Sequence, residues 1–169
     1  TQSNWWDGYL RYVFLLDDKN GIEKAKNYVD AILATQDEDG YLGIYDRELR
    51  YHLNSENGEL WSKATLYRGL LAYYENTYDL KVINAVEWAI DNVMLNYPIN
   101  ESSPFNTGNG FNGGVSHGLM FIDVLERMYY HTKNEKYRNY ALFLYMDFSN
   151  TYQSESDAQL KNILNPEYK

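Results

Sequence analysis

A helical period, carried by six segments and broken by connections of two different lengths, constrains this chain more than any other feature. In residues 4–17, Trp5, Tyr9, Tyr12, Val13 and Leu16 recur at spacings of three and four, which puts them on one buried stripe of a helix. Residues 22–35 repeat the pattern through Ile22, Ala25, Tyr28, Val29 and Ile32. Residues 59–76 carry it through Leu60, Ala64, Tyr67, Leu71 and Tyr74, and residues 80–95 through Val82, Ala85, Val86, Ala89 and Val93. A third pair of segments, 115–131 and 135–148, does the same. No stretch alternates with period two, so the spacing predicts an all-α fold.

Internal similarity groups the six segments into three helical hairpins. Thr77-Tyr78-Asp79 and Thr132-Lys133-Asn134 occupy the same place between consecutive helices, and Val82 and Tyr137 follow at matching offsets. Tyr28, Trp88 and Phe143 fall at one equivalent position and read as a repeated core site. A unit of about 55 to 60 residues is the size of the stacked hairpins that build solenoids and α/α toroids. Residues 1–169 therefore read as a single α/α-hairpin domain, within the usual size range of one core.

Connections inside a hairpin are short (18–21, 78–79 and 133–134), whereas those between hairpins (36–58 and 97–114) are long and rich in glycine, asparagine and acid. Side-by-side packing then gathers every long loop at one end of the helices. Long loops on a rigid scaffold are where function concentrates.

Composition narrows the partners. Fifteen Lys+Arg against twenty-four Asp+Glu leave a formal charge of −9, which argues against nucleic acid and anionic membranes as partners, since both need a basic face. No apolar run approaches the ~20 residues of a membrane span. With no cysteine, the chain has no disulfide, thiolate nucleophile or Cys-liganded metal of its own. Its three histidines are far apart and no HExxH or EF-hand spacing occurs, so neither a metal nor a cofactor is expected. Eighteen Tyr and four Trp against six Phe supply rings with a polar tip, suited either to helix interfaces or to flat, wet surfaces such as sugar clefts.

The first long connection holds Gln36-Asp37-Glu38-Asp39-Gly40-Tyr41-Leu42-Gly43, then Tyr45, His52 and Glu59, with Trp61 at the next helix start. Carboxylates beside Tyr and Trp suit a carbohydrate site, where acids protonate a leaving oxygen or bind hydroxyls and rings stack on sugar C–H faces. The alternative is an acidic surface loop with an Asp-Gly turn, in which Glu59 serves only the helix dipole. The second constellation is Asn112-Gly113-Gly114-Val115-Ser116-His117-Gly118. Its glycines permit close approach, and His117 exchanges a proton near neutral pH or else caps a helix start. Ser116 and His117 do not make a nucleophilic pair, because adjacent helical residues diverge by about 100°.

These segments, with Trp5-Trp6-Asp7-Gly8 and Leu70-Leu71-Ala72-Tyr73-Tyr74-Glu75, resemble the β-L-arabinofuranosidase-like proteins of glycoside hydrolase family 127 and its relatives. The resemblance runs over most of the chain and implies part of an (α/α)₆ barrel of the six-hairpin type, about half of it, incomplete for catalysis alone. It also implies a secreted or periplasmic setting. Characterised members use a zinc-bound cysteine nucleophile, which this chain cannot supply, and their helix-start motif resembles Gly-Gly-Met-Asn-Glu where this chain has Gly113-Gly114-Val115-Ser116-His117. The resemblance lends the binding face: His117 and Asp39 as candidate catalytic groups, and Trp6, Asp7, Tyr41, Tyr45, Trp61, Ser116 and Asp157 as substrate contacts. Asp157 serves equally as the N-cap of a final helix.

The expected function is therefore a glycoside hydrolase segment presenting a sugar-binding face to complex glycans. Two alternatives stand beside it: a noncatalytic helical-repeat module that binds a glycan or protein, and a polysaccharide lyase on the same scaffold. Three hairpins without closure leave apolar end faces through which copies could self-associate.

Overall fold

In the computed structural model the described residues are 2–52, 58–106 and 113–151, and Asp157 lies outside them. They are all-α. Helices α1 (Gln2–Leu15) and α2 (Lys19–Leu33) form the first hairpin, α3 (Glu59–Thr77) and α4 (Leu80–Asn96) the second. The first limb of the third is α5 (Gly113–Ser116), a 3₁₀ turn (His117–Met120) and α6 (Phe121–Thr132), and its second limb is α7 (Glu135–Thr151). No described helix is long and apolar enough to cross a membrane.

The three short turns are built alike. In each, a residue in the left-handed region closes one helix: Asp17 (φ 51°), Tyr78 (φ 55°) and Lys133 (φ 57°). The next residue, Asp18, Asn134 or Asp79, is a short polar side chain suited to start the following helix. In the second and third hairpins the agreement extends to single bonds. The Thr77 and Thr132 hydroxyls donate back to the carbonyls of Tyr73 (2.9 Å) and Met128 (2.7 Å). They also accept from the backbone N–H of Asp79 (3.3 Å) and Asn134 (3.2 Å). Asp79 and Asn134 then accept from the N–H two residues on, at 3.0 and 3.1 Å. The repeat seen in the sequence is thus a repeat of hydrogen-bonding chemistry.

Helix α3 is the axis of the fold. From Glu59 to Tyr73 it is buried on nearly every side, as a helix surrounded by others must be. Helix α1 lies along one flank and α6 along the other, both parallel to it. Arg68 reaches Asp7 (3.7 Å) and Tyr73 meets Phe14 (5.8 Å between centroids), so residue numbers rise together on α3 and α1. Tyr67 meets Phe121, and Glu75 takes the Arg127 guanidinium through two bonds of 3.0 and 2.7 Å, which gives the same sense for α6. The starts of α3 and α5 and the ends of α2 and α4 consequently share one end, where both long connections lie.

Packing departs from the periodicity at three places. Trp5, Tyr12 and Leu16 are 55%, 60% and 55% exposed, and only Leu10 and Val13 of α1 are buried; α1 is covered on a single side, so part of its apolar stripe meets solvent. Trp88 is half exposed rather than a core residue. Its indole lies against Gly40 (φ 86°), where a Cβ would come within 2.6 Å of the ring, so it clamps the first long loop to α4. The segment 115–131 is interrupted by the 3₁₀ turn, because Gly118 presses on α3 and a Cβ there would sit 2.9 Å from that of Leu60.

Removing either turn cap should cost about 1 kcal/mol. Asp79→Ala and Asn134→Ala should each lower the urea midpoint at constant m-value. Because the turns are separate, the double variant should show the sum of the two losses. A midpoint unchanged by both would mean that the caps do not hold the hairpins.

Candidate functional site

At the loop-bearing end the first long connection folds back over the start of α3 and is held there by a buried polar cluster. Glu59 and Lys63 lie one turn apart on α3, with side chains 1% and 0% exposed and a 2.9 Å ion pair between Nζ and Oε1. The same oxygen accepts from the Tyr41 hydroxyl at 2.9 Å, while Oε2 accepts from the Tyr51 N–H at 3.1 Å. Lys63 Nζ also donates to the Leu42 carbonyl (3.3 Å), which takes a second bond from the Tyr67 hydroxyl (2.7 Å). Tyr51, in the left-handed region at φ 59°, donates its hydroxyl to Asn92 of α4, and the Asn92 amide donates to the Asp39 carbonyl at 3.1 Å. Gln36 ties the start of the loop to Ala85 O at 2.9 Å.

The ring of Tyr41 lies between two cations. Arg50 Cζ is 3.5 Å and Lys63 Nζ 3.6 Å from its centroid, and two groups that close cannot share one face. Arg50 is held in turn by Asp37 at 2.7 Å. The Tyr41 hydroxyl also accepts from the Tyr45 N–H (3.2 Å), and the Tyr45 hydroxyl accepts from the Gly58 N–H (2.9 Å), joining the loop to the residue before α3.

Burial sets the proton affinities. Lys63 is lowered to about 8, chiefly by burial and with help from Arg50, against the opposing pull of Glu59. The phenols of Tyr41, Tyr51 and Tyr67 are pushed up, first by burial and then by nearby negative groups, Glu59 among them. They remain neutral donors throughout the ordinary pH range.

At the same end of α3, two exposed rings meet. Trp61, on the first turn of α3, and His117, at the start of the 3₁₀ turn, have centroids 4.8 Å apart at an interplanar angle of 54°. Ser116 beside them is buried. Asp39 is exposed on the loop, and its Oδ1 accepts from the Tyr41 N–H at 2.9 Å.

The other expected contacts lie elsewhere or face inward. Tyr41, expected as a substrate contact, is 2% exposed with both faces covered, so it belongs to the buried cluster and offers no face to a ligand. Trp6 stacks on Tyr28 between α1 and α2, with centroids 3.6 Å apart. Asp7 pairs with Arg11 at 2.9 Å and with Arg68, part-way along α3. Asp157 falls outside the described residues. Lys63, Arg50, Tyr51 and Asn92 went unnoticed in the sequence. The available signal was the Glu59/Lys63 spacing of four inside an otherwise apolar run.

The residues do not fit the zinc site that the resemblance implies. The chain has no cysteine, and among the described residues no three His, Cys, Asp or Glu side chains converge on a point where a metal could be held.

The sequence matches the β-L-arabinofuranosidase GH127 catalytic domain over residues 1–163. The chain belongs to this family. No curated protein and no solved structure matches it.

Lys63→Met should leave the Glu59 carboxylate buried without its cation and cost about 3 to 5 kcal/mol in urea unfolding. Adding Glu59→Gln to that variant should recover a large part of the loss, because no unpaired charge then remains buried; a double variant as unstable as the single one would contradict the pairing. The pH dependence follows from the direction of the Lys63 shift. Its folded value of about 8 lies below the 10.5 of an ordinary lysine. Between these values the unfolded chain binds more protons, so unfolding free energy rises with pH, and this contribution is lost as pH falls through 8. The buried phenols act oppositely: their stabilisation is complete below about 10 and is lost as pH rises above it. Urea titrations should show a gain of about 1 kcal/mol from about pH 7.5 to 9, then a decline above about pH 10. A flat or falling profile between about pH 7.5 and 9 would contradict the lowered value of Lys63.

Proposed function

We propose, from the membership of this chain in a glycoside hydrolase family, that its loop-bearing end forms one wall of a cleft for arabinofuranosyl-type glycans. The meeting of Trp61 and His117 carries this reading. Two exposed rings from different elements, 4.8 Å apart, offer a C–H-stacking face next to an imidazole that can hydrogen-bond a sugar hydroxyl. Asp39, exposed on the first long loop at the same end, is the candidate acid or hydroxyl-binding carboxylate.

In this reading the buried cluster has a supporting role. Glu59 and Lys63 fix the loop bearing Asp39 to the helix bearing Trp61, and the close contact of Gly118 with Leu60 fixes the turn bearing His117. These residues orient a sugar against the wall. The zero count of cysteine favours a second reading alongside the first: this chain binds and positions a glycan without itself holding the family's nucleophile, as one half of a six-hairpin barrel would.

Trp61→Ala and His117→Ala alter exposed side chains, so each should change unfolding free energy by less than about 0.5 kcal/mol. Trp61→Ala should weaken binding of an arabinofuranosyl oligosaccharide about tenfold in calorimetric titration. Arabinose release should be abolished by His117→Ala if the chain is a hydrolase, and absent from the parent chain if it only binds. Affinity unchanged in both variants would rule out the Trp61 and His117 wall as the site.

A further inference from the structure

A second cleft opens at the same end, between the segment after α4 and helix α7. The segment after α4 does not run straight to α5 but forms consecutive turns: Glu101 N–H to Pro98 O at 3.2 Å, the Ser102 hydroxyl to the same carbonyl at 2.9 Å, and Asn106 N–H to Ser103 O at 3.0 Å. Two bonds dock this segment on α7. The buried Tyr140 hydroxyl donates to Tyr97 O at 2.9 Å, and Asp147 Oδ2 accepts from the Phe105 N–H at 2.9 Å. The Phe105 ring is fully buried, against Phe148 on one side and near Gly118 on the other. Between the docked segment and α7 lies a preformed space of about 370 Å³, within the size range of small-ligand sites.

Its lining mixes polar and apolar groups. Asp147, Asn139, Asn150 and Ser103 present a carboxylate, two carboxamides and a hydroxyl, while Leu142 and Phe143 present an apolar surface from the same helix. Asp147 is half buried and, although Phe105 and Ser103 bond to it, its proton affinity is raised by burial. A single carboxylate with no lysine or arginine among the lining residues disfavours an anion. Carboxamides that both donate and accept, next to an acceptor-only carboxylate, match adjacent hydroxyl groups.

We propose that the cleft between residues 98–106 and α7 is a second carbohydrate site that takes one neutral sugar ring, with its hydroxyls on Asp147 and Asn139 and its C–H face on Phe143 and Leu142, which lie between them on the helix. The inference rests on the carbohydrate reading above, but not on the Trp61 and His117 wall. Both sites lie at the loop-bearing end, so one glycan chain passing over that end could engage both.

The test is a ¹⁵N-resolved NMR titration of the full chain with L-arabinose, D-xylose and D-galactose as separate probes. At least one should produce saturable shifts at the amides of Ser103, Asn139, Phe143 and Asp147, with a dissociation constant on the order of 1 mM. Asn139→Ala replaces an exposed helical residue with a better helix former, so the fold should persist. It should weaken those shifts about fivefold, whereas His117→Ala should leave them unchanged. If only amides near Trp61 and His117 respond, the second site is refuted and the wall stands. If only the α7 amides respond, the wall is refuted and the second site stands. Failure of all three sugars at the α7 amides, or shifts there that are equal in Asn139→Ala, overturns the inference.

Discussion

One ion pair, Glu59 with Lys63, holds the loop-bearing end of this molecule together. Both side chains are almost wholly removed from water, and such a pair survives only where further hydrogen bonds satisfy both groups. Here those bonds come from the loop: the Tyr41 hydroxyl, the Tyr51 N–H and the Leu42 carbonyl. The loop thus satisfies the pair, and the pair fixes the loop. Neither arrangement is favourable without the other, which makes the connection from α2 to α3 a part of the core.

The surrounding helices determine where that cluster sits. The left-handed residue at each short turn reverses the chain within two or three residues, so α1, α3 and α6 run in parallel and their returns lie behind them. The cross-helix contacts Asp7 to Arg68 and Glu75 to Arg127 keep this register. Alternating direction leaves the long connections at the opposite end, where their polar backbone folds over the start of α3 and toward the end of α4. Trp61 and His117 meet because α3 and the 3₁₀ turn begin at one level, and Gly118 allows the two segments to touch.

Much of the fold was legible in the sequence because a helical period requires only local information. Thr77-Tyr78-Asp79 and Thr132-Lys133-Asn134 announced the turns, since a threonine, a left-handed residue and a short polar cap act within four residues of one another. Burial was less legible. Trp5, Tyr12 and Leu16 satisfy the period of α1, yet a stripe is buried only where a neighbour covers it, and period says nothing of neighbours. Trp88 matched a repeat position, but its packing depends on Gly40, 48 residues earlier in the sequence. Within the site, Trp61 and His117 were visible as types of residue at helix starts. Lys63 was not, because a lysine in a helix ordinarily points to water, and only the fold of a distant loop makes its burial tolerable. Tyr41 was recognised as important for the wrong reason: its ring is held between two cations instead of facing a ligand.

Native-state hydrogen exchange tests the central claim most directly, since the Tyr45 and Tyr51 amides are bonded to the Tyr41 hydroxyl and to Glu59. If the ion pair makes the loop part of the core, both amides should exchange only through global unfolding. Their opening free energies should match those of Leu70 and Leu71 on α3 and fall with denaturant in the same way. Exchange through local openings several kcal/mol cheaper and insensitive to denaturant would contradict the account, because the loop would then open while the helices stayed folded.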